Sequence, residues 1–251
     1  MTIHWFFLIP LFLCLGSFFN VMAYRILAEK SFLRGRSRCP QCKSKLMWHD
    51  LIPVISFIAL GGRCRFCHHR ISWLYPFIEL AAVITFSCMI LFVDSHYWLA
   101  YGLFFSVLLI NTRTDLQEMV IPSATSLYLV PIGWICAFTK LIPLTPLQSI
   151  FGSFAGYLIL FSIAKIFYFI TKKDGLGEGD FDLLALVGAF TGINGVFASL
   201  FYGSIGGSII GIFLMIFGNY SKNSKLPFGP FLALGALVHI FNPFLLTRLL
   251  I

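Results

Sequence analysis

The stretch KDGLGEGDFDLLALVGAF, residues 173–190, places acidic side chains immediately before an apolar run. Charged groups are costly in hydrocarbon, so carboxylates at the edge of a membrane segment point to function. The surrounding chain has a membrane-like composition, because 59% of its 251 residues are hydrophobic and 11% are charged. Soluble domains carry roughly 25% charged residues. The sequence therefore indicates a polytopic membrane protein and argues against a soluble protein with a large core.

Apolar stretches of similar length recur along the chain, and each can cross a hydrocarbon core of about 30 Å. Backbone polar groups must be paired within a bilayer, so these stretches are predicted to be helices. The sequence predicts an all-α fold with eight transmembrane helices. The sixth is short and rich in glycine, so it is also compatible with a broken or re-entrant element. The predicted spans are 4–27, 75–93, 97–112, 121–142, 147–171, 177–193, 195–218 and 228–250.

The distribution of basic residues predicts the orientation of these helices. An eight-helix arrangement places fifteen of the eighteen Lys and Arg residues on the side that holds the 29–74 loop. The positive-inside rule makes that side cytoplasmic and both termini external. The first span has a basic C-terminal flank, the reverse of a signal peptide, so it is expected to be retained. No basic–aromatic pattern accompanies the net charge of +8, so membrane lipids are expected partners and nucleic acid is not.

The basic loop contains two CxxC pairs separated by 21 residues. Four thiolates at such spacing can surround a tetrahedral metal ion. We predict a structural zinc site, because a reducing cytosol disfavours disulfides and a closed four-sulfur site leaves no position for a substrate. A redox pair or unligated thiols are the alternatives, and His68 and His69 are alternative ligands. The predicted ligands are Cys39, Cys42, Cys64 and Cys67.

Acidic residues cluster at two boundaries that are predicted to lie on the cytoplasmic face. One boundary is NTRTDLQEMVIPS, residues 111–123, and the other is the stretch quoted above. Two carboxylates that share a site do not both ionise easily, so one can deprotonate a water while the other protonates a leaving group. That is the chemistry of aspartic proteases. The alternative is a set of solvated residues at helix starts, stabilised by helix dipoles.

Six motifs, in order, resemble those of the type IV prepilin peptidase family, whose members cleave prepilin leader peptides and N-methylate the new terminus. The resemblance covers nearly the whole chain. DLQEMVIP (115–122) is similar to the first catalytic motif of the family, and GEGD (177–180) to the second, GxGD. The other matching stretches are GSFFNVMAYRI (16–26), the double CxxC loop, LIPVISFIALGGRC (51–64) and ISWLYPFIE (71–79), and LLALVGAFTG (183–192) follows GxGD.

The resemblance implies that Asp115 and Asp180 are the catalytic aspartates. Gly177 and Gly179 would form an active-site loop that backbone and substrate can approach closely. The remaining acids of the second boundary, Glu178 and Asp182, are interpreted as bystanders.

The resemblance also implies methyl transfer from S-adenosylmethionine in the N-terminal region. Candidate residues, by motif, are Gly16, Asn20, Arg25 and Glu79. Simpler roles are open for them, since a glycine can serve helix packing, an arginine can anchor at the interface, and a glutamate can pair with a loop cation.

Four departures from the family pattern leave both catalytic aspartates in place. Asp182 stands where Lys is frequent, which adds negative charge beside Asp180. The others are Gln117 for a usual second acid, Ser123 where Asp is common after Pro122, and His49-Asp50-Leu51 for an acidic–Asn pair before Ile52-Pro53.

Taken with the resemblance, the sequence predicts two domains, a methyl-transfer region over residues 1–93 and a six-helix aspartic peptidase over 94–251. The expected function is removal of the short basic leader of type IV prepilins or pseudopilins at the cytoplasmic face, with N-methylation of the new terminus. A cation-coupled transporter is an alternative that would show inverted repeats. A non-catalytic zinc-bearing secretion assembly factor is a third possibility.

Overall fold

The computed structural model describes residues 2–30, 37–172, 175–218 and 225–245. Within these ranges the chain is helical, and pairing between extended segments is limited to two isolated bridges in the cysteine loop. This confirms the predicted all-α class. The helices are α1 (Thr2–Leu27), α2 (Ile55–Ala59), α3 (Leu74–Phe92), α4 (Trp98–Glu118), α5 (Val130–Phe138), α6 (Pro146–Thr171), α7 (Glu178–Phe217) and α8 (Gly229–Phe241).

The chain forms two compact units, Met1–Cys88 and Met89–Ile251. In the first unit, α1 packs closely against α3 at Gly16. A Cβ added at Gly16 would lie 2.6 Å from the Cα of Glu79, so only glycine fits there. Aromatic contacts extend the same interface, with the rings of Phe12 and Phe86 stacked 5.5 Å apart. The predicted domain boundary after residue 93 falls in the turn that follows α3.

In the second unit, α7 is the central helix and its first half is almost entirely buried. Small residues bring α6 onto α7, since a Cβ at Gly152 would lie 2.4 Å from the carbonyl oxygen of Gly188. On its other side α8 is joined by the hydroxyl of Ser199, which donates to the carbonyl of Leu232 over 2.6 Å. Phe104 of α4 stacks on Phe190 with ring centroids 4.7 Å apart. These contacts fix the start of α7, where the acidic stretch lies.

Within the described residues, four helices are long and apolar enough to cross a membrane: Trp5–Leu27, Leu74–Phe92, Pro146–Thr171 and Glu178–Phe217. The chain is therefore treated as a membrane protein. The predicted sixth and seventh spans lie end to end within α7, where two helical stretches meet in a kink at Gly192 (φ 67°, ψ −172°). A positive φ favours glycine, so the sequence permits the break at this position.

Two other predicted spans differ in detail from the structure. Residues 121–142 contain a shorter apolar segment, Ser123–Phe138, which opens with two 3-10 turns before α5 begins. The final span, predicted over 228–250, ends as a helix at Phe241, and Pro243 follows. Residues 246–250 of that span and the outermost terminal residues lie outside the described residues. The count of eight crossings stays a prediction.

Candidate active site

Asp115 lies in the last full turn of α4 and is buried, with 5% of its surface exposed. Its Oδ2 accepts a hydrogen bond of 2.8 Å from the backbone N–H of Gly229, the first residue of α8. The N-terminus of a helix carries unpaired N–H groups and the positive end of the helix dipole, both of which favour a carboxylate. The start of α8 therefore holds one oxygen of Asp115 in place.

Asp180 lies in the first turn of α7 and is also buried. Its Oδ2 accepts from the backbone N–H of Gly177 over 3.3 Å, within the same helix start. The other glycine of this motif, Gly179, has a different role. A Cβ there would lie 2.7 Å from the Cβ of Ile121 and 2.8 Å from its carbonyl oxygen, so Gly179 permits backbone contact between α7 and the segment after α4.

The structure brings Asp115 and Asp180 together, although they are 65 positions apart along the chain. They are close enough for a direct electrostatic interaction between the two carboxyl groups. Ile121 contacts both sides of the site. It lies against Gly179, the residue before Asp180, and a Cβ added at Gly229, whose N–H binds Asp115, would lie 2.8 Å from the Cδ1 of Ile121. Two carboxyl groups in one desolvated site favour a state with one proton between them. That arrangement can act as acid and base at once.

The segment between α4 and α5 is folded back onto α4 by paired side chains. The amide nitrogen of Asn111 donates to the carbonyl of Thr125 over 2.8 Å, and the Thr125 hydroxyl donates to the Asn111 amide oxygen. Met119 ends α4 in the left-handed conformation, and its N–H donates to the carbonyl of Asp115. Asp115 is thus followed by a fixed turn.

The two acids interpreted as bystanders have different surroundings. Glu178 is exposed at the start of α7. Asp182 is buried, with 8% of its surface exposed, and its Oδ2 accepts a hydrogen bond of 2.7 Å from the hydroxyl of Ser123. Ser123 and Asp182 are both departures from the family pattern, and the structure places them in contact with each other.

Sequence reasoning did not identify Gly229 as part of this site. The stretch PFGP, residues 227–230, does predict the start of a helix, because Pro is favoured in the first turn. Nothing in that pattern indicates that the helix starts at Asp115, which is 114 positions away. The contact depends on how the helices pack, and one sequence does not reveal it.

The cysteine loop consists of two hairpins with the same local structure. In each hairpin the N–H of the first cysteine donates across the turn, from Cys39 to Ser44 and from Cys64 to His69. Isolated antiparallel bridges close the two bases, Arg38 with Lys45 and Arg63 with Arg70. Lys43 and His68 occupy equivalent left-handed turn positions, with φ of 59° and 54°. The turn geometry therefore accounts for His68 without a ligand role.

The four cysteine sulfurs converge, and all lie within 4.8 Å of one another. The Sγ atoms of Cys39 and Cys67 are 3.8 Å apart. Hydrogen bonding with the side chain and backbone of Ser44 lowers the pKa of the Cys42 thiol to about 6. The backbone N–H of His69 lowers the pKa of Cys67, yet desolvation and the neighbouring sulfurs raise it to about 11. Four thiolates at this spacing would repel one another, and the cluster has the spacing that could hold a metal ion.

Asp50 ties the second hairpin to the rest of the loop. Its carboxylate accepts from the Nε of Arg65 over 2.9 Å and from the backbone N–H of Met47 over 3.1 Å. Burial raises the pKa of this carboxyl group, but the hydrogen bonds and the charge of Arg65 outweigh burial and lower the pKa overall. The departure at His49-Asp50-Leu51 therefore serves loop structure.

A second polar cluster lies in the first unit, between α1 and α3. Glu79 is buried, and its carboxylate accepts a hydrogen bond of 2.8 Å from the backbone N–H of Val54. The amide of Asn20 donates to the carbonyl oxygens of Gly16 and Tyr75, over 3.2 and 3.1 Å. Three of the four candidate methyl-transfer residues therefore lie in one place. The fourth, Arg25, lies more than one turn further along α1.

Val54 has an unusual backbone conformation, with φ of 60° and ψ of −50°. The N–H of Ile55 donates to the carbonyl of Pro53 over 2.6 Å, which closes a three-residue γ-turn of the rare, positive-φ kind. A β-branched residue is strained there, by about 1–3 kcal/mol. The carboxylate of Glu79 holds this turn through the Val54 N–H, so Glu79 pairs with the backbone of the loop.

The chain is helical and apolar, and two different helices, α4 and α7, each bring a buried aspartate to the same site. This is the layout of a membrane aspartic peptidase. Comparison with known proteins agrees. A profile of the bacterial peptidase A24 N-terminal domain matches residues 8–93, and a profile of the type IV leader peptidase family matches residues 102–212. No solved structure matches the chain.

Individual relatives are similar over most of the chain. The chain is 34% identical to a prepilin leader peptidase/N-methyltransferase of Bacillus subtilis, over 90% of its own length and 89% of the relative's. It is 35% identical to one of Aeromonas salmonicida, over 85% of its length and 73% of the relative's. The chain therefore belongs to the prepilin leader peptidase/N-methyltransferase family. Neither the transporter nor the assembly-factor alternative finds support in these matches.

Proposed function

We propose that this protein removes the basic leader peptide of prepilins or pseudopilins and then methylates the new N-terminal residue. The observation that carries the proposal is the buried pair of Asp115 and Asp180 in a chain whose relatives are named for both activities. In this mechanism the charged carboxyl group deprotonates the attacking water. The protonated partner then gives its proton to the departing amine of the scissile peptide bond.

The surroundings of the pair support peptide cleavage. Gly177 is exposed and carries no side chain, so the backbone of an extended substrate can approach Asp180 from that side. The acidic stretch at the start of α7 also favours approach of a positively charged leader. Co-expression with a prepilin encoded near this protein tests the activity, with the substrate's N-terminus measured by mass spectrometry. We expect loss of the leader and a gain of one methyl group; an intact leader in the presence of folded enzyme would refute the proposal.

We assign methyl transfer to the polar cluster of Gly16, Asn20 and Glu79. When bound, S-adenosylmethionine supplies the methyl group as a positively charged sulfonium. A buried carboxylate beside an amide has the negative charge to attract such a cation. Glu79 orients the Val54 turn through a hydrogen bond, and the same carboxylate can take a proton from the ammonium of the new N-terminus, which leaves the neutral amine that methyl transfer needs.

We further propose that the four cysteines bind one structural zinc ion. A tetrahedron of sulfurs about 2.3 Å from a central ion has edges of about 3.8 Å. The separation of 3.8 Å between the sulfurs of Cys39 and Cys67 fits that geometry. The loop is too short for a large apolar core, so a metal would hold its two hairpins together.

Zinc binding is checked by elemental analysis of purified protein. We expect about one zinc per chain in the native protein and none in the Cys39→Ser/Cys64→Ser variant, which removes one ligand from each hairpin. Cys14→Ala is the matched control, because Cys14 lies on an exposed face of α1 outside the loop. Leader removal should fall only indirectly, through loss of loop structure. Zinc at native stoichiometry in the double variant would rule out the four-sulfur site.

We also propose an inner-membrane location, with the cysteine loop and the aspartate pair cytoplasmic and both termini external. The basic character of the 29–74 loop supports this orientation. In intact cells, a membrane-impermeant maleimide should label Ser95→Cys, in the exposed turn after α3, and should not label Lys45→Cys. After lysis both variants should react, and the native protein reports background labelling. The opposite pattern in intact cells would reverse the orientation.

A further inference from the structure

The hydrogen bond between Ser123 and Asp182 connects two parts of the chain that are 59 positions apart. The Ser123 hydroxyl donates to Oδ2 of Asp182 over 2.7 Å, a good length for a hydroxyl donor. Asp182 is buried, so an unpaired carboxylate would be costly there. The bond joins the turn that follows Asp115 to the helix that carries Asp180.

On the α4 side, the turn that holds Ser123 is anchored firmly. The hydroxyl of Ser126 donates to the carbonyl of Pro122 over 2.9 Å, and the Thr125 hydroxyl oxygen lies 3.0 Å from the same carbonyl oxygen. The amide of Asn111 donates to the carbonyl of Thr125, one helical turn before Asp115. Ser123 therefore moves with the end of α4, and with Asp115.

On the α7 side, the same turn meets two positions on one helical face. Gly179 lies against Ile121, and Asp182 meets Ser123. Residues three apart on a helix are neighbours, so the two contacts lie side by side and Asp180 lies between them in sequence. The apolar contact sets how closely α7 approaches the turn. The hydrogen bond resists sliding and rotation of the first turn of α7, which would move Asp180 away from Asp115.

We propose that Asp182 and Ser123 form a clasp that positions Asp180 opposite Asp115. Asp182 is then a positioning residue and not a bystander, and it acts through its acceptor oxygen. The inference rests on the proposed leader-peptidase function and adds to it residues that control the geometry of the pair. A displacement of about 1 Å at a catalytic group can cost on the order of 10²-fold in rate.

A double-mutant cycle on leader removal tests the clasp. Ser123→Ala and Asp182→Leu should each lower kcat by roughly tenfold or more, the scale of a hydrogen bond to a charged group, with little change in KM. The double variant should be no slower than the worse single variant, because both remove the same bond. Losses that multiply, or single variants with native kcat, would overturn the proposal.

Conservative variants separate the acceptor oxygen from the charge. Asp182→Asn keeps an oxygen that can accept from Ser123, so it should retain most of the native kcat. Glu178→Gln removes an exposed charge from the same helical turn and should keep the native kcat, with any change confined to KM for the basic leader. If Asp182→Asn is as slow as Asp182→Leu, charge and not the hydrogen bond is responsible, and the clasp is disproved.

A charge exchange adds a rescue. Ser123→Asp should be slow because two carboxylates would then face each other, and adding Asp182→Lys should restore activity by making an ion pair. No rescue in a folded double variant would count against direct contact between the two side chains. Thermal unfolding of each purified variant reports its folding, because Ser123 and Asp182 both lie in the second unit. If the native protein itself fails to remove a leader, the proposed function fails; a native enzyme with an additive cycle disproves only the clasp.

Discussion

Replacement of either aspartate, by Asp115→Asn or Asp180→Asn, should abolish leader removal. The mechanism needs one charged and one protonated carboxyl group, and an amide supplies neither. We expect the rate to fall by about 10⁴-fold in each variant, and the double variant to be no worse, because groups that act as a unit lose their effect together. The measurement is the initial rate of leader removal in membranes that contain matched amounts of each variant.

Methyl transfer provides the internal control for this experiment. If its site lies in the first unit, both aspartate variants should still methylate a pre-cleaved substrate. Glu79→Gln should give the reciprocal result, with methylation lost and leader removal retained, because it removes the negative charge while keeping an oxygen for the Val54 N–H. Robust cleavage by Asp180→Asn would end the aspartic mechanism. Loss of both activities in Glu79→Gln would contradict the separation of the two sites.

Much of the secondary structure was accessible from the sequence, because a bilayer leaves few options for an apolar run. The 74–92 and 146–171 helices follow directly from length and hydropathy. The cysteine cluster was also predictable, since the CxxC spacing places the two sulfurs of each pair close together in one turn. The glycine-rich character of the sixth predicted span indicated a broken element, and the helix is interrupted at Gly192. The sequence alone does not distinguish a kink from two separate helices.

The contacts between helices were not accessible in the same way. Hydropathy shows which residues avoid water, but in lipid the exposed and the packed faces of a helix are both apolar. The role of Gly229 at Asp115 and of Ile121 between two glycines depends on those faces. The γ-turn at Val54 is similarly hidden, because its positive φ is held by a glutamate 25 positions away and not by a local preference for glycine.

The two glycines of the GEGD motif should respond very differently to the same substitution. Gly179→Ala should lower the rate of leader removal by about 10²-fold, the scale of an ångström-sized displacement in an active site. Its new Cβ would lie 2.7 Å from the Cβ of Ile121 and 2.8 Å from the Ile121 carbonyl oxygen, and neither atom belongs to a flexible side-chain end. The turn and α7 must therefore separate, which moves Asp180 relative to Asp115.

Gly177→Ala should cost far less than Gly179→Ala, because the nearest atom to its new Cβ is Oδ2 of Asp180 at an ordinary 3.5 Å, and its φ of −76° suits any residue. Gly102→Ala is the control with native activity, since nothing lies within 4 Å of the added carbon. Helix propensity alone would make an alanine in α7 more stable than glycine by up to about 1 kcal/mol. Rates and thermal unfolding of the three variants therefore distinguish propensity from packing: a Gly179→Ala protein that is stabilised and fully active would show that close contact with Ile121 does not position the aspartate pair.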